Sequence, residues 1–185
     1  LKSVILFLLI FTLLNGLNFE LLMASDNPIM TSSHVGLDEL KYATDFKLLA
    51  PYTSTESYKF EIKEPFPLVS GRSISRVRLH YFDKSGQTYM FGIEEHKAVG
   101  YKIKRFDTTI DVRNQTSTTK IIVEDFKFDV SGEKVNINGI EARFVPWTDH
   151  TPGGYLRWVQ DGTYIEIDSG DLSKQMMVEL AKSIK

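Results

Sequence analysis

Two dipeptides, Asn138-Gly139 and Asp161-Gly162, stand between runs of alternating apolar and polar residues. A type I′ turn needs φ > 0 at both central positions, and Asn-Gly and Asp-Gly tolerate this best, so each dipeptide predicts a tight hairpin of fixed register. Folding about the first sets Ile137 opposite Ile140 and Val135 opposite Ala142. Folding about the second sets Trp158 opposite Ile165 and Leu156 opposite Ile167, with Arg157 facing Glu166 on the reverse side. A slip of one residue would turn every one of these apolar groups to the other face. A third hairpin is predicted from Arg76–Phe82 and Thr88–Glu95, flanking Asp83-Lys84-Ser85-Gly86-Gln87. Its expected pairs are Tyr81 with Tyr89, Leu79 with Phe91, Val77 with Ile93, and on the outer face His80 with Met90 and Arg76 with Glu94.

Before these hairpins, Gly36–Ala43 reads as a short helix, and Phe46–Ala50 as a buried strand ended by Pro51. Tyr58–Ile62 alternates as a further strand. Between the hairpins, Ile121–Val123 and Phe126–Val130 are expected strands, and Asn114–Ser117 is an expected loop. At the end of the chain, Ser173 is an N-cap candidate, with Leu172 placed to staple against Met177. Leu172, Met176, Met177, Leu180, Ala181 and Ile184 form the apolar stripe of a helix too short to stand alone in water. The predicted fold is α+β: a curved antiparallel sheet of hairpins, a C-terminal helix on one face and a short N-terminal helix. Residues 35–185 are expected to form one such domain.

The N-terminal part differs in kind. Val4–Leu14 is apolar throughout, behind Lys2, and Asn15, Gly16, Asn18 and Glu20 break it. A spanning helix needs about 20 mostly apolar residues, whereas this length suits the hydrophobic region of an export signal. Residues 1–24 are therefore expected to be a signal peptide cut near Ala24, or an uncleaved anchor holding the membrane through residues 4–23. Residues 25–34 read as a flexible lead-in. The implied location is extracytoplasmic, secreted or membrane-anchored.

Chemistry is harder to find. The chain has no cysteine, which excludes disulfides, thiol catalysis and cysteine-held metals. Its formal charge of −2 gives no electrostatic footprint for nucleic acid. The four histidines, His34, His80, His96 and His150, never take the i, i+4 spacing that places two imidazoles on one helical face for zinc. Glu94-Glu95-His96 is the one carboxylate–imidazole cluster, a candidate metal or hydrolase site if the chain turns there. Asp168-Ser169-Gly170-Asp171 groups carboxylates without a full calcium loop, and with Asp161 reads as turn chemistry. Gly153-Gly154 precedes a strand and is no phosphate loop. Asn114-Gln115-Thr116 is a glycosylation triplet in form, marking an exposed loop. No catalytic, cofactor or metal residues are assigned, and the expectation is a protein that is not an enzyme.

Three blocks carry a resemblance: GLDELKYATDFKLLAPYTSTESYKF, EKVNINGIEARF and YLRWVQDGTYIEIDSGDLSKQMMVELAKSIK. In residues 36–62 and 133–185 the chain resembles the domain of unknown function 4367 family. The matching positions are Phe46, Pro51, Tyr58, Val135, Asn138, Gly139, Leu156, Trp158, Gly162, Tyr164, Leu172, Ser173, Ala181, Ser183 and Ile184. Thr55 departs from the pattern, which has a second proline there. The resemblance implies an exported or membrane-anchored protein of a Gram-positive bacterial envelope, with no catalytic residues or cofactor. It also implies kinship of architecture with lipoprotein-carrier and sigma-regulator domains, whose sheets bind acyl chains or proteins. The expected partner is a lipid or an envelope protein bound on the sheet. The competing expectation is an envelope-stress or sporulation regulator acting through protein contact alone. That version predicts a filled core and an exposed apolar patch at an edge or loop.

Overall fold

The computed structural model describes residues 35–51, 57–65, 73–148 and 150–185. The expected leader or anchor, the lead-in with His34, and Thr55 lie outside these residues. Helix α1 (Val35–Ala43) is followed by strands β1 (Lys59–Glu64), β2 (Arg76–Phe82) and β3 (Tyr89–Lys97). Next come β4 (Lys102–Asp111) and β5 (Thr116–Asp125), then β6 (Glu133–Ile137), β7 (Ile140–Pro146), β8 (Gly154–Gln160) and β9 (Thr163–Ser169). Helix α2 (Lys174–Lys182) closes the order. Seven strands form one antiparallel sheet in the order β1-β2-β3-β9-β8-β7-β6, and β4 pairs with β5 in a sheet of their own.

The fold is α+β as the sequence implies, and the two glycine turns set it. Asn138 and Gly139 take φ of 52° and 92°, and Asp161 and Gly162 take 52° and 81°. Both hairpins have the expected registers, Val135 with Ala142 and Trp158 with Ile165 among them. The β2–β3 hairpin is displaced from its expected register by two residues. Tyr81 stands opposite Phe91, Leu79 opposite Ile93, Val77 opposite Glu95 and His80 opposite Gly92. The cause is local. Asp83 accepts from the backbone of Gly86, Gln87 and Thr88 and widens the turn, while a bulge between Tyr81 and Phe82 adds one residue to the other strand. A displacement of two keeps each side chain on its face, so the inner and outer sides are those expected.

The inner face of the sheet is the core. Val77, Leu79, Phe91, Ile93, Leu156, Trp158, Ile165 and Ile167 are buried there beneath Leu40 of α1 and Met177, Leu180 and Ala181 of α2. Ser173 caps α2 by accepting from the Met176 amide at 3.3 Å. At the other end, the Asn138 amide donates to the Lys182 carbonyl at 2.9 Å, so a hairpin turn satisfies an orphan helix carbonyl. Met176 departs from the expected stripe and is 53% exposed, whereas Met177 is fully buried. The i, i+3, i+4 row that meets the sheet runs through 177, 180, 181 and 184, and position 176 falls beside it.

Three further expectations are corrected. Phe46–Ala50 is not a strand but a strap over the end of the inner face, held by isolated bridges Thr44–Ile74 and Pro51–Ile184. It buries Leu48 and Leu49, and side chains take its backbone groups. The Thr163 hydroxyl donates to the Lys47 carbonyl at 2.7 Å, and the Leu49 amide donates to Glu95 at 2.7 Å. Phe126–Val130 is irregular rather than strand, and Thr116 and Ser117 belong to a strand rather than a loop. On this packing, Met177→Ala is expected to cost about 2–5 kcal/mol of unfolding free energy in urea. Met176→Ala should fall within about 0.5 kcal/mol of wild type.

Candidate functional site

Strand alternation sends Glu94 and His96 to the outer face of the sheet and Glu95 into the core. The Glu94-Glu95-His96 cluster is therefore taken apart by the pleat, and with it the geometric basis of the metal or hydrolase reading. Among the described residues, no group of three or more His, Asp or Glu side chains is placed to hold a metal ion.

Glu94 belongs to a ladder of charges across the outer face. Its carboxylate meets Arg76 Nη2 at 2.7 Å and Arg78 Nη1 at 3.9 Å. Arg78 also pairs with Asp168, which accepts from the Tyr89 hydroxyl at 2.7 Å. Glu94 and Glu166 stand directly opposite each other on β3 and β9, a like-charge pair that repels. The flanking arginines relieve it, because Arg157 lies 3.5 Å from Glu166 and the Tyr164 hydroxyl donates to Glu166 at 2.7 Å. Burial nevertheless raises the Glu166 carboxyl above its ordinary range. The charges of this face are largely spent on one another, although the buried Nε groups of Arg76 and Arg157 find no hydrogen-bond partner among the described residues.

Asp168 is thereby occupied, Asp171 is exposed, and the Ser169 hydroxyl accepts the Leu172 amide at 2.9 Å, which starts the turn into α2. Turn chemistry is confined to Ser169–Asp171: Asp168, expected in a turn, lies within β9 opposite Gly92 and Tyr155. Asp161 pairs with Lys47 of the strap. His80 is half-buried on the outer face, edge-on to Tyr89 at 5.0 Å, and burial followed by the Arg78 charge lowers its pKa. His150 is exposed with φ of 67°. A shallow cleft of about 220 Å³ between Tyr89, Trp147, Thr151, Asp168 and Gly170 is too small for a drug-sized ligand.

His96 has a structural task. Its ring stacks on Tyr101 at 3.9 Å and on Tyr164 at 4.7 Å, with Phe126 edge-on at 4.5 Å. Its Nδ1 lies 2.7 Å from the Lys97 carbonyl, and burial lowers its pKa. Tyr101 and Phe126 are the residues just before β4 and just after β5, joined by a bond from the Phe126 amide to the Tyr101 carbonyl at 2.9 Å. The aromatic stack is thus the root of the β4–β5 ribbon. Beyond it the chain returns with Phe128 near Tyr164 and Asp129 bonded to Arg157 at 2.6 Å.

The ribbon is an arm that touches little else. Ten residue pairs run from Lys102–Asp125 to Asp111–Thr116 without a shift of register. Every residue of β4 is exposed, and so is every residue of β5 except Ile122. At the tip, the Asp111 carboxylate accepts from the backbone of Arg113 and Asn114, and Asn114 donates its side-chain amide to Asp111. Opposed residues share a face, so Phe106 with Ile121, Lys104 with Val123 and Ile110 with Ser117 line one side. There Phe106 is 64%, Ile110 69%, Ile121 58% and Val123 56% exposed. The sequence reading missed this arm, although Lys104, Phe106, Thr108 and Ile110 alternate toward the Asp111–Asn114 turn that would have revealed it.

These features define an α+β domain with one antiparallel sheet, backed by a helix and a strap and interrupted by an exposed β-arm. Residues 72–184 match the family model described as domain of unknown function (DUF4367), and the chain belongs to that family. The matched span holds β2 to α2 and includes the arm, whereas the block at residues 36–62 that marked the resemblance precedes it. Comparison with curated proteins and with solved structures gave no match.

Glu95 supplies a test of the core. It is 1% exposed, opposite Val77 and Ile165 and near Tyr81; one oxygen accepts from Leu49 and the other has no partner among the described residues. Burial raises its carboxyl from the ordinary 4.5 to about 8, and the Leu49 bond offsets this only in part. The fold therefore favours the protonated acid. Its contribution is complete below the unfolded pKa, declines as pH rises toward 8, and is level above. Glu95→Gln keeps an uncharged acceptor and should remove the decline. Its unfolding free energy relative to wild type is expected to rise across that window, at up to about 1.4 kcal/mol per pH unit. Parallel profiles in urea titrations at several pH values would show that Glu95 is not held as the acid.

Proposed function

We propose that this domain is a non-enzymatic, extracytoplasmic binding module that works by contact with protein, with the β4–β5 arm as its contact surface. The observation that carries the reading is the contrast between the two places where apolar groups gather. On the inner face of the sheet, side chains from both helices and the strap fill the space over Trp158, Phe91 and Ile165. On the arm, Phe106, Ile110, Ile121 and Val123 remain in solvent. A filled core with an exposed apolar patch is what a module acting by protein contact needs, and a lipid carrier needs the reverse. The apolar Val4–Leu14 run supports a place outside the cytoplasm, and the family resemblance supports a bacterial envelope of Gram-positive type. Among the described residues no helix is long and apolar enough to cross a membrane.

The same reading favours a regulatory partner over a hydrophobic ligand. In living cells that express the chain, a photo-cross-linking residue in place of Phe106 is expected to give discrete protein adducts. The same residue in place of Lys84, on the β2–β3 turn, should give none. Equal adducts at both positions, or a lipid-mass adduct in native mass spectrometry that is lost on denaturation, would overturn the reading.

A further inference from the structure

The open edge of β5 differs from the outer edges of the main sheet. At those edges, β6 is only five residues long, and the pairing of β1 is broken by a bulge at Ile62–Glu64. Short or bulged edges are how folded proteins discourage pairing with other chains. The β5 edge has neither device: it runs ten residues with no proline, glycine or shift of register. Its centre reads Lys120-Ile121-Ile122-Val123-Glu124, three apolar residues between opposite charges. Neither Lys120, which faces Asp107 across the ribbon, nor Glu124 makes an ion pair within 4 Å among the described residues, although Asp125 beside Glu124 pairs with Lys102.

Two such edges laid antiparallel about a two-fold axis at Ile122 complement each other. Ile122 meets the second copy's Ile122, Ile121 meets its Val123, Lys120 meets its Glu124, and Thr119 meets its Asp125. In this register the three apolar residues meet only apolar ones, and the Lys120–Glu124 pair forms twice, once on each side of the axis. A shift of one or two residues places an isoleucine or valine against a charge. The product is a four-stranded antiparallel sheet, β4-β5 joined to the second copy's β5-β4. A two-stranded ribbon is marginal in water, and three or more strands with an apolar face are stable. The interface is isologous and closes on itself, as in most homodimers.

Resting on the reading of the arm as a contact surface, we infer that its occupant is a second copy of this chain, joined through antiparallel pairing of β5 centred on Ile122. The absence of cysteine makes the test clean, because any introduced thiol is unique. In the full-length chain under mild oxidation, Ile122→Cys is expected to give at least about tenfold more covalent dimer than Ser117→Cys, on a non-reducing gel. Residues facing across the axis lie within about 5.5 Å, whereas two copies of position 117 are tens of ångströms apart.

In the Ile122→Cys background, Glu124→Lys or Lys120→Glu alone should reduce the yield, since each sets like charges opposite. Mixing the two variants should restore it as a heterodimer. No dimer, equal yields at 117 and 122, a dominant link from Phe106→Cys on β4, or no rescue on mixing would overturn the inference. If any of these occurs while photo-adducts at Phe106 with a different protein persist, the contact reading stands with another occupant. If those adducts are absent too, both fail.

Discussion

The pairing of β3 with β9 holds this fold together. The chain builds two meanders, β1-β2-β3 and β6-β7-β8-β9, and this pairing is what joins them into one sheet. Their junction sets Ile93 against Ile167 and Glu95 against Ile165, and the largest buried side chains lie on either side of it. Both layers of the molecule depend on this seam. On the inner face it gives α2 and the strap a continuous apolar floor. On the outer face it brings Glu94 beside Glu166, and the arginines of β2 and β8 are placed where that repulsion must be met.

The same seam explains why the arm is held where it is. His96 ends β3 on one side and Tyr164 stands opposite it on β9, so the residues that root the arm are a pair of the seam itself. Stacked rings give a large buried contact with defined geometry. They fix the base of the arm without constraining its length or tip, and most charges of the outer face are paired with one another. Among the described residues, the apolar side of the arm and its two unpaired edges stay open to another molecule.

How much of this could be read in the sequence depended on the distance over which each decision is made. The Asn-Gly and Asp-Gly turns act locally, and their registers followed from two residues each. The α+β class and the cap at Ser173 followed from equally local patterns. The β2–β3 register did not, because a turn held by one aspartate and a bulge a few residues away jointly moved it. The strap looked like a strand because Leu48 and Leu49 are buried, but its backbone is answered by Thr163 and Glu95, residues far along the chain. Glu95 carries no mark in sequence that separates it from Glu94. Only the pleat, and the strand that comes to lie beside it, send one to solvent and the other to the core. The arm was hidden for the opposite reason: its apolar residues are exposed, and a reading that looks for buried faces discounts alternation that buries nothing.

The two ends of the arm meet at one bond, from the Phe126 amide to the Tyr101 carbonyl. An excursion that leaves and returns at the same point is topologically an insertion. The chain enters and leaves the sheet as it would if a tight turn joined Tyr101 to Phe126. The cost of closing a loop rises only slowly with its length, about 0.6 kcal/mol for each doubling. Growth, shrinkage or replacement of the arm is therefore nearly invisible to the sheet beneath it. The arm's length is thus set apart from the stability of the scaffold that presents it.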